Sequence, residues 1–506
     1  VSLNVALEIG SNYPVLSEYM QCRERVSLIR GPRGSAKTFS TAQRILQQMT
    51  EQEPNDRGER RTRWMVSRDS YTELTTTTIK DFQAVFRDLD GVYHPHGVGG
   101  NGPPTWITRP QTWLSDGSML VAEVIFQSAG VDDAEERIKG YQLTGAWFNE
   151  LSGCRKGPWD TARAGVGRYP SGIDGGVTCT WRGMIGDTNS FDESHWLHPI
   201  FQAPPAGWRC FNQPGGVLYS GQIGPDGRKV WLDNPDAENL ANLPEGYYRD
   251  LVHGADDGFI SVLLANEYGF YVEGKPVHPR YVDTRHCSAP VVLEPDPKYP
   301  LVIGLDFGRT PAAVIAQHLT HIGRWHVLDE LVSDDMSAAL FGPELKRKLE
   351  REYSGYRVMA YGDPAGDSRG QATEHTPIQM IQASGVPCMP APSNIPALRR
   401  AAIDNPLMRV CADQGPAFLV SPKAKNFRKA MQGGWCYRKL RVQGTERYDE
   451  APDKGPLSHV GEAGEYAFLG GGEGRAALRP AEPQMQHRGL RQTRAISEWA
   501  PEGEWG

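Results

Sequence analysis

Eight residues, Gly31-Pro-Arg33-Gly34-Ser35-Ala36-Lys37-Thr38, have the types and spacing of a phosphate cradle. Backbone N–H groups of such a turn surround phosphate oxygens, the lysine reaches the β- and γ-phosphates, and the threonine hydroxyl ligates Mg²⁺. The pattern G-x-x-x-x-G-K-[ST] has Gly before the lysine, and this chain has Ala36. Hydrolysis also needs an acid at the end of a neighbouring strand. Ala146-Trp-Phe-Asn149-Glu150 offers one, with Glu150 placed as general base for the attacking water. Asn149 stands where a second acid would hold the metal shell, and keeps an acceptor oxygen without the charge.

Two further features belong to this constellation. Glu135-Glu-Arg137-Ile-Lys-Gly140 carries a cation that could reach a γ-phosphate in its own subunit or a neighbour's, and equally reads as a solvated charge run. Gly186-Asp-Thr188-Asn189 closes a strand with small polar groups, which suits a γ-phosphate sensor or an ordinary turn.

A different chemistry lies further on. Asp306 ends the apolar run Leu301–Leu305, and Asp363 follows the strand candidate Arg357–Tyr361. If three antiparallel strands, a helix and a fourth strand follow one another, the fourth lies beside the first and parallel to it, and the two acids become neighbours. Carboxylates that close repel unless a divalent cation sits between them. His459 and Glu462, at i and i+3, share one helix face. Together the four could hold two Mg²⁺ or Mn²⁺ for in-line attack on a phosphodiester. Taken singly, each acid also reads as a turn former or a surface pair. From Ser421 to Arg441 there are seven cations (Lys423, Lys425, Arg428, Lys429, Arg438, Lys439, Arg441) and no acid, with Trp435 and Tyr437 interleaved. That is the composition of a DNA-binding stripe.

The elements that must position these residues alternate in an α/β pattern. Val26–Ile29, Arg63–Ser67, Met119–Phe126, Leu143–Phe148 and Trp181–Ile185 read as strands, and Phe39–Met49 and roughly Asp69–Asp88 as helices. Gly91–Arg109 reads as a loop. This predicts a P-loop domain with a parallel sheet. Gly215–Lys229 reads as a hairpin, and Glu294–Pro300, with three prolines, as a linker. From Leu301 the strands Leu301–Asp306, Ala312–His318, Trp325–Glu330 and Arg357–Tyr361, with helices Met336–Tyr353 and Leu457–Leu469, predict a mixed-sheet domain. The expected division is 1–205 for an ATPase core, 206–298 for a lid or linker completing it, 299–470 for the metal-binding domain and 471–506 for a flexible tail.

Composition bounds the class. At 506 residues two or three domains are expected, and 39 % apolar with 23 % charged residues is the composition of a soluble globular protein. Eight scattered cysteines without a C-x-x-C pair exclude a zinc knuckle and a dense disulfide framework. A net charge of −7 makes the basic run a local feature.

In this order the motifs resemble the large terminase subunit of tailed bacteriophages. The resemblance is carried by Gly31–Thr38, Asn149-Glu150, Gly186–Asn189, Leu305-Asp306-Phe-Gly, Gly362-Asp363-Pro, and Lys454-Gly-Pro-Leu-Ser-His459-Val-Gly-Glu462-Ala463 with Tyr466. It implies a P-loop ATPase joined to a ribonuclease H-like nuclease, using ATP with Mg²⁺ in one site and two Mg²⁺ or Mn²⁺ in the other. It further implies packaging of double-stranded DNA into a procapsid in the host cytoplasm, cleavage of concatemers, a portal protein, a small terminase partner and a homo-oligomeric, pentameric ring in which Arg137 acts in trans. Ala36, Asn149 and Glu462 (for the usual Asp) depart from the family's pattern. A helicase-nuclease of repair or recombination and a catalytically decayed docking subunit are the alternatives.

Overall fold

The computed structural model describes residues 13–474 apart from 111, 175–178, 226–227, 272–273, 309, 334–335, 368–374 and 441–446. The chain forms two compact units, one of Val1–Cys287 with Arg428–Leu457, the other of Ser288–Phe427 with Ser458–Gly506. The expected tail lies outside the described residues from 475 on.

The first unit is built on eight strands: β1 (Val26–Arg30), β2 (Glu59–Arg68), β3 (Gly91–His94), β4 (Thr105–Thr108), β5 (Met119–Ser128), β6 (Gly145–Asn149), β7 (Gly183–Thr188) and β8 (Trp208–Asn212). Their order is β3-β4-β5-β2-β6-β7-β1-β8. From β5 to β8 every neighbouring pair is parallel, and β3 and β4 add an antiparallel edge. The parallel strands are buried on both faces, which is why they read as apolar runs without alternation. Trp64, Val66, Trp147 and Ile185 join one core with Ile45, Met49 and Phe82 from helices, whereas Met65, Ala146, Phe148 and Met184 join another with Trp159 and Phe201. Each buried Val, Ile, Met or Phe among them contributes about 1.5–3 kcal/mol by burial.

The edge strands β3 and β4 correct the expectation of a loop over Gly91–Arg109. Their apolar signal is diluted by Gly, Pro and His, and what fixes them is tertiary: Trp106 packs edge-on against Phe82 and Phe86. The expected helix after Asp69 exists, capped by Ser70, whose hydroxyl accepts from Glu73 N at 3.2 Å. It runs from Tyr71 to Phe86 through a π-helical stretch, Leu74–Thr78. Beyond β8, the hairpin of β9 (Val217–Ile223) and β10 (Lys229–Asp233) and a small apolar cluster around Tyr248, Ile260 and Leu264 complete this part of the unit.

The second unit holds a six-stranded sheet: β12 (Leu301–Asp306), β13 (Ala312–Leu319), β14 (Arg324–Val332), β15 (Val358–Gly362), β16 (Cys388–Pro390) and β17 (Phe418–Val420), in the order β16-β15-β12-β13-β14-β17. β13 is antiparallel to both β12 and β14, and β15 is parallel to β12, as the strand succession requires. The last helix, Pro456–Gly470, packs directly on β12. A Cβ at Gly304 would lie 1.7 Å from the Ala463 carbonyl oxygen, so only glycine allows the approach.

Residues 428–457 depart from the expected domain division. Cys436–Tyr437 (β18) pairs with Lys275–Pro276 (β11), so this excursion from the second half belongs to the first unit. No helix among the described residues is long and apolar enough to cross a membrane.

Candidate active sites

The Gly-rich turn joins β1 to the helix Lys37–Thr50. Gly34 has φ +80° and Ala36 φ +62°. Ala36 therefore adopts the left-handed conformation that glycine would supply, at a cost of about 1 kcal/mol from its Cβ. The turn is tied to its own unit. Arg33 N donates to Leu263 O at 2.8 Å, Tyr248 hydroxyl to Arg33 O at 2.7 Å, Asn239 Nδ2 to Gly34 O at 2.6 Å, and Ser35 Oγ to Gln213 Oε1 at 2.8 Å. Gly31 N donates to Thr188 O at 3.1 Å, which docks the turn on β7.

Lys37 is buried, and burial lowers its ammonium from the ordinary range, opposed by the charges of Glu150 and Asp187. Its Nζ donates to Pro32 O at 3.1 Å and to Asn189 Oδ1 at 2.8 Å, while Asn189 Nδ2 donates to Glu150 Oε2 at 2.9 Å. Asn189 thus bridges the cation and the expected base. Glu150 itself sits at φ +51°, turned out of the strand line at the end of β6. Thr188 is placed differently from the expectation of a nucleotide contact. Its hydroxyl accepts from Ser152 N at 3.1 Å and donates to Asn189 O at 2.9 Å, so it secures the turn after β6.

Two side chains, Asp187 and Asn149, meet beside Thr38. Its hydroxyl donates to Asp187 Oδ2 at 2.8 Å, and Asn149 Nδ2 donates to the same oxygen at 2.9 Å. Asn149 Oδ1 accepts from Arg68 Nη1 at 3.0 Å and Thr78 Oγ1 at 2.7 Å. Burial first, then the charge of Glu150, pushes the Asp187 carboxyl up to about 6. Asp187 and Arg68 were not reached from the sequence. Asp187 lies inside the quoted Gly186–Asn189 segment, but only strand register reveals that it faces Thr38. Arg137 lies on the helix Ala134–Ile138, exposed, with its guanidinium 2.8 Å from Asp133 Oδ2.

In the second unit Asp306 is the last residue of β12 and Asp363 follows the end of β15, and the register of the two strands pairs Leu305 with Gly362. Asp306 is buried, and its Oδ2 lies 2.6 Å from His459 Nδ1. Tyr466, two turns further along the helix, donates its hydroxyl proton to Asn394 Oδ1 at 2.9 Å. Burial pushes its phenol up, the Arg399 guanidinium opposes this, and the charge of Asp363 adds to it. Glu462 lies 3.6 Å from Arg399, which also pairs with Glu465 at 3.3 Å and donates to the Tyr466 hydroxyl. Burial alone would lower the Arg399 guanidinium, but Glu465, Tyr466 and Glu462 hold it above its ordinary value.

Strand register sets Asp306 beside Asp363, the His459 ring is bonded to Asp306, and Glu462 is paired with Arg399. Among the described residues no three His, Cys, Asp or Glu side chains form a ready cation cage. Two carboxylates on adjacent parallel strand ends still fit Mg²⁺, which is commonly held by one or two carboxylates and completes its shell with water.

The basic run is less free than its composition implies. Arg428 makes two bonds to Asp283 at 2.8 and 2.5 Å, Lys429 lies 2.8 Å from Asp192, and Arg438 2.8 Å from Asp453. Trp435 is buried and closed to base stacking. Arg441 lies outside the described residues. Lys423 and Lys425 are exposed. Asp283 and Asp192, which neutralise Arg428 and Lys429, come from far upstream, so no local window contains them. Lys423→Ala with Lys425→Ala is expected to lower DNA affinity and flatten its salt dependence by about two units of slope, whereas Arg428→Ala lowers the melting temperature. Filter binding over a salt series and thermal denaturation separate the two, and an unchanged slope in the double variant would remove these lysines from the DNA contact.

A Gly-rich turn between β1 and a helix, at the edge of a parallel sheet whose next strands carry Asp187 and Glu150, defines a P-loop nucleotide-binding fold, joined here to a mixed-sheet unit with paired acids. No family model matches the sequence, and no curated protein matches it. Among solved structures the chain is similar to bacteriophage large terminases. The large terminase from a thermophilic bacteriophage, in complex with ADP, aligns over 91 % of this chain and 98 % of its own, at 12 % identity and a TM-score of 0.38. The HK97 bacteriophage large terminase aligns over 88 % and 91 %, at 10 % identity and 0.35. The P22 large terminase nuclease domain aligns over 38 % and 91 %, at 10 % identity and 0.29.

Proposed function

We propose that this chain is a DNA-packaging motor subunit, an ATPase and a metal-dependent DNA endonuclease in one polypeptide. The observation that supports this most is the Lys37–Asn189–Glu150 relay. It sets a buried cation and a general base on either side of one carboxamide, at the mouth of a phosphate cradle. In the ATPase cycle Lys37 exchanges Pro32 O for phosphate oxygens and Glu150 orients the attacking water, with Asn189 reporting the loss of the γ-phosphate to both. The Thr38 hydroxyl would hold Mg²⁺, which would supply neutralisation of phosphate charge. Arg137, exposed, serves a neighbouring subunit's site in a pentameric ring.

In the nuclease unit Asp306 and Asp363 would hold one or two Mg²⁺ or Mn²⁺, which would supply the charge stabilisation for phosphodiester attack. His459 positions Asp306 through their hydrogen bond. Double-stranded DNA is the substrate of both units. A portal protein and a small terminase subunit are the partners, at the procapsid in the host cytoplasm.

Purified protein should hydrolyse ATP and nick or linearise plasmid in Mn²⁺. With procapsids, DNA should become nuclease-protected in an ATP-dependent manner. ATP-driven separation of a forked duplex in place of protection would replace packaging by a helicase-nuclease reading. Failure of both catalytic assays would leave a docking subunit.

A further inference from the structure

A P-loop that works through Mg²⁺ needs a carboxylate beside the helix hydroxyl, and β6 ends in Asn149, which has no charge to offer. The neighbouring strand β7 runs parallel to β6 with Asp187 in register opposite Asn149. Asp187 is fully buried. Its Oδ1 is held by Trp147 Nε1 at 2.5 Å, and an indole can only donate. Its Oδ2 is the oxygen turned to the Thr38 hydroxyl, at 2.8 Å.

The surrounding bonds fix which way Asn149 points. Arg68 and Thr78 both donate to Oδ1, so Nδ2 is left to face Asp187. The pair therefore contains one amide and one carboxylate, in a fixed order. A second carboxylate at position 149 would press two buried anions together at hydrogen-bond distance.

We propose that Asp187 supplies this P-loop with its metal-ordering carboxylate, from the strand next to the usual one, with Asn149 as the neutral neighbour that orients it. The assignment rests on the ATP-binding reading of the Lys37 site. It turns Asn149 from a sign of decay into half of a relocated pair, and it makes Asp187, one position before Thr188, the functional residue of the Gly186–Asn189 segment.

The test is the affinity of a fluorescent N-methylanthraniloyl-ADP probe, measured in saturating Mg²⁺ and in EDTA, with thermal denaturation as a folding control. Wild-type protein is expected to bind about tenfold or more tightly in Mg²⁺ than in EDTA. Asp187→Asn should keep the EDTA affinity and bring the two values within about twofold. A full Mg²⁺ enhancement in Asp187→Asn would overturn the assignment. Asn149→Asp gives an independent reading that does not need the first variant to fold. A diminished or unchanged Mg²⁺ enhancement with a lower melting temperature supports Asp187 as the acid, and a stronger enhancement would return that role to position 149 and overturn the proposal. Absence of probe binding by wild-type protein in both buffers would instead sink the ATP-binding reading itself.

Discussion

Replacement of Lys37 by alanine is expected to abolish ATP hydrolysis while leaving Mn²⁺-dependent plasmid cleavage intact. Lys37 is buried, and its ammonium bonds to Pro32 O and to Asn189 Oδ1. Removing it takes away the cation aimed at the transferring phosphoryl group and leaves Asn189, and through it Glu150, without an opposing charge. Loss of one such preorganised donor costs on the order of 10²–10³ in rate. A lysine that also binds ground-state phosphates should lower affinity as well. The fold should survive, because burial already disfavours the ammonium. Steady-state phosphate release and plasmid digestion on the same preparation decide the matter. Retention of full ATPase activity would sink the P-loop assignment, and loss of both activities would point to misfolding, which circular dichroism would show.

Asp363→Ala and Asp306→Asn should produce the reverse pattern. Asp306 closes one of two adjacent parallel strands and Asp363 follows the other, and the nuclease reading depends on their sharing a divalent cation. Metal-assisted charge stabilisation is worth several kcal/mol. A loss of about 4 kcal/mol corresponds to ~10³-fold in cleavage rate. Asp306→Asn keeps the shape and a hydrogen bond to His459, so a loss in that variant reports charge rather than packing. ATP hydrolysis should be unaffected, since Lys37, Thr38 and Glu150 belong to the other unit. Plasmid digestion in Mn²⁺ that survived either change would place the nuclease elsewhere. Glu462 offers a graded contrast. Paired with Arg399 at 3.6 Å, it should cost stability as well as cleavage when changed to Gln, because Arg399 then loses one of the two acids it pairs with.

The chemistry-bearing turn and the strands beside it were legible because their signals are local. A Gly-rich octapeptide before an amphipathic helix, an apolar run closed by Asn149-Glu150 and another closed by Asp306 each sit within one short window. The succession of three antiparallel strands, a helix and a fourth strand also fixed the neighbourhood of Asp306 and Asp363, since connectivity leaves few places for the fourth strand. The antiparallel edge at β3 and β4 was not legible. Its glycines and prolines match a loop, and Trp106 packing on Phe82 and Phe86 outweighs that preference.

By itself, then, the sequence determined a Gly-rich turn between a strand and a helix, an Asn-Glu pair closing a neighbouring strand, and two acids brought to one edge of a second sheet. Tertiary structure alone decided which partners those residues have. Thr38 and Asp187, separated by 149 residues, meet only because β7 lies between β6 and β1. Arg428 and Lys429, read as free DNA-binding charge, are joined to Asp283 and Asp192 from far upstream. Glu462, read as a metal ligand, pairs with Arg399 across the helix packing. The reason is common to all three. Residue type and spacing set what a side chain can do, but a charge selects its partner through space, and strand order and helix packing set those distances.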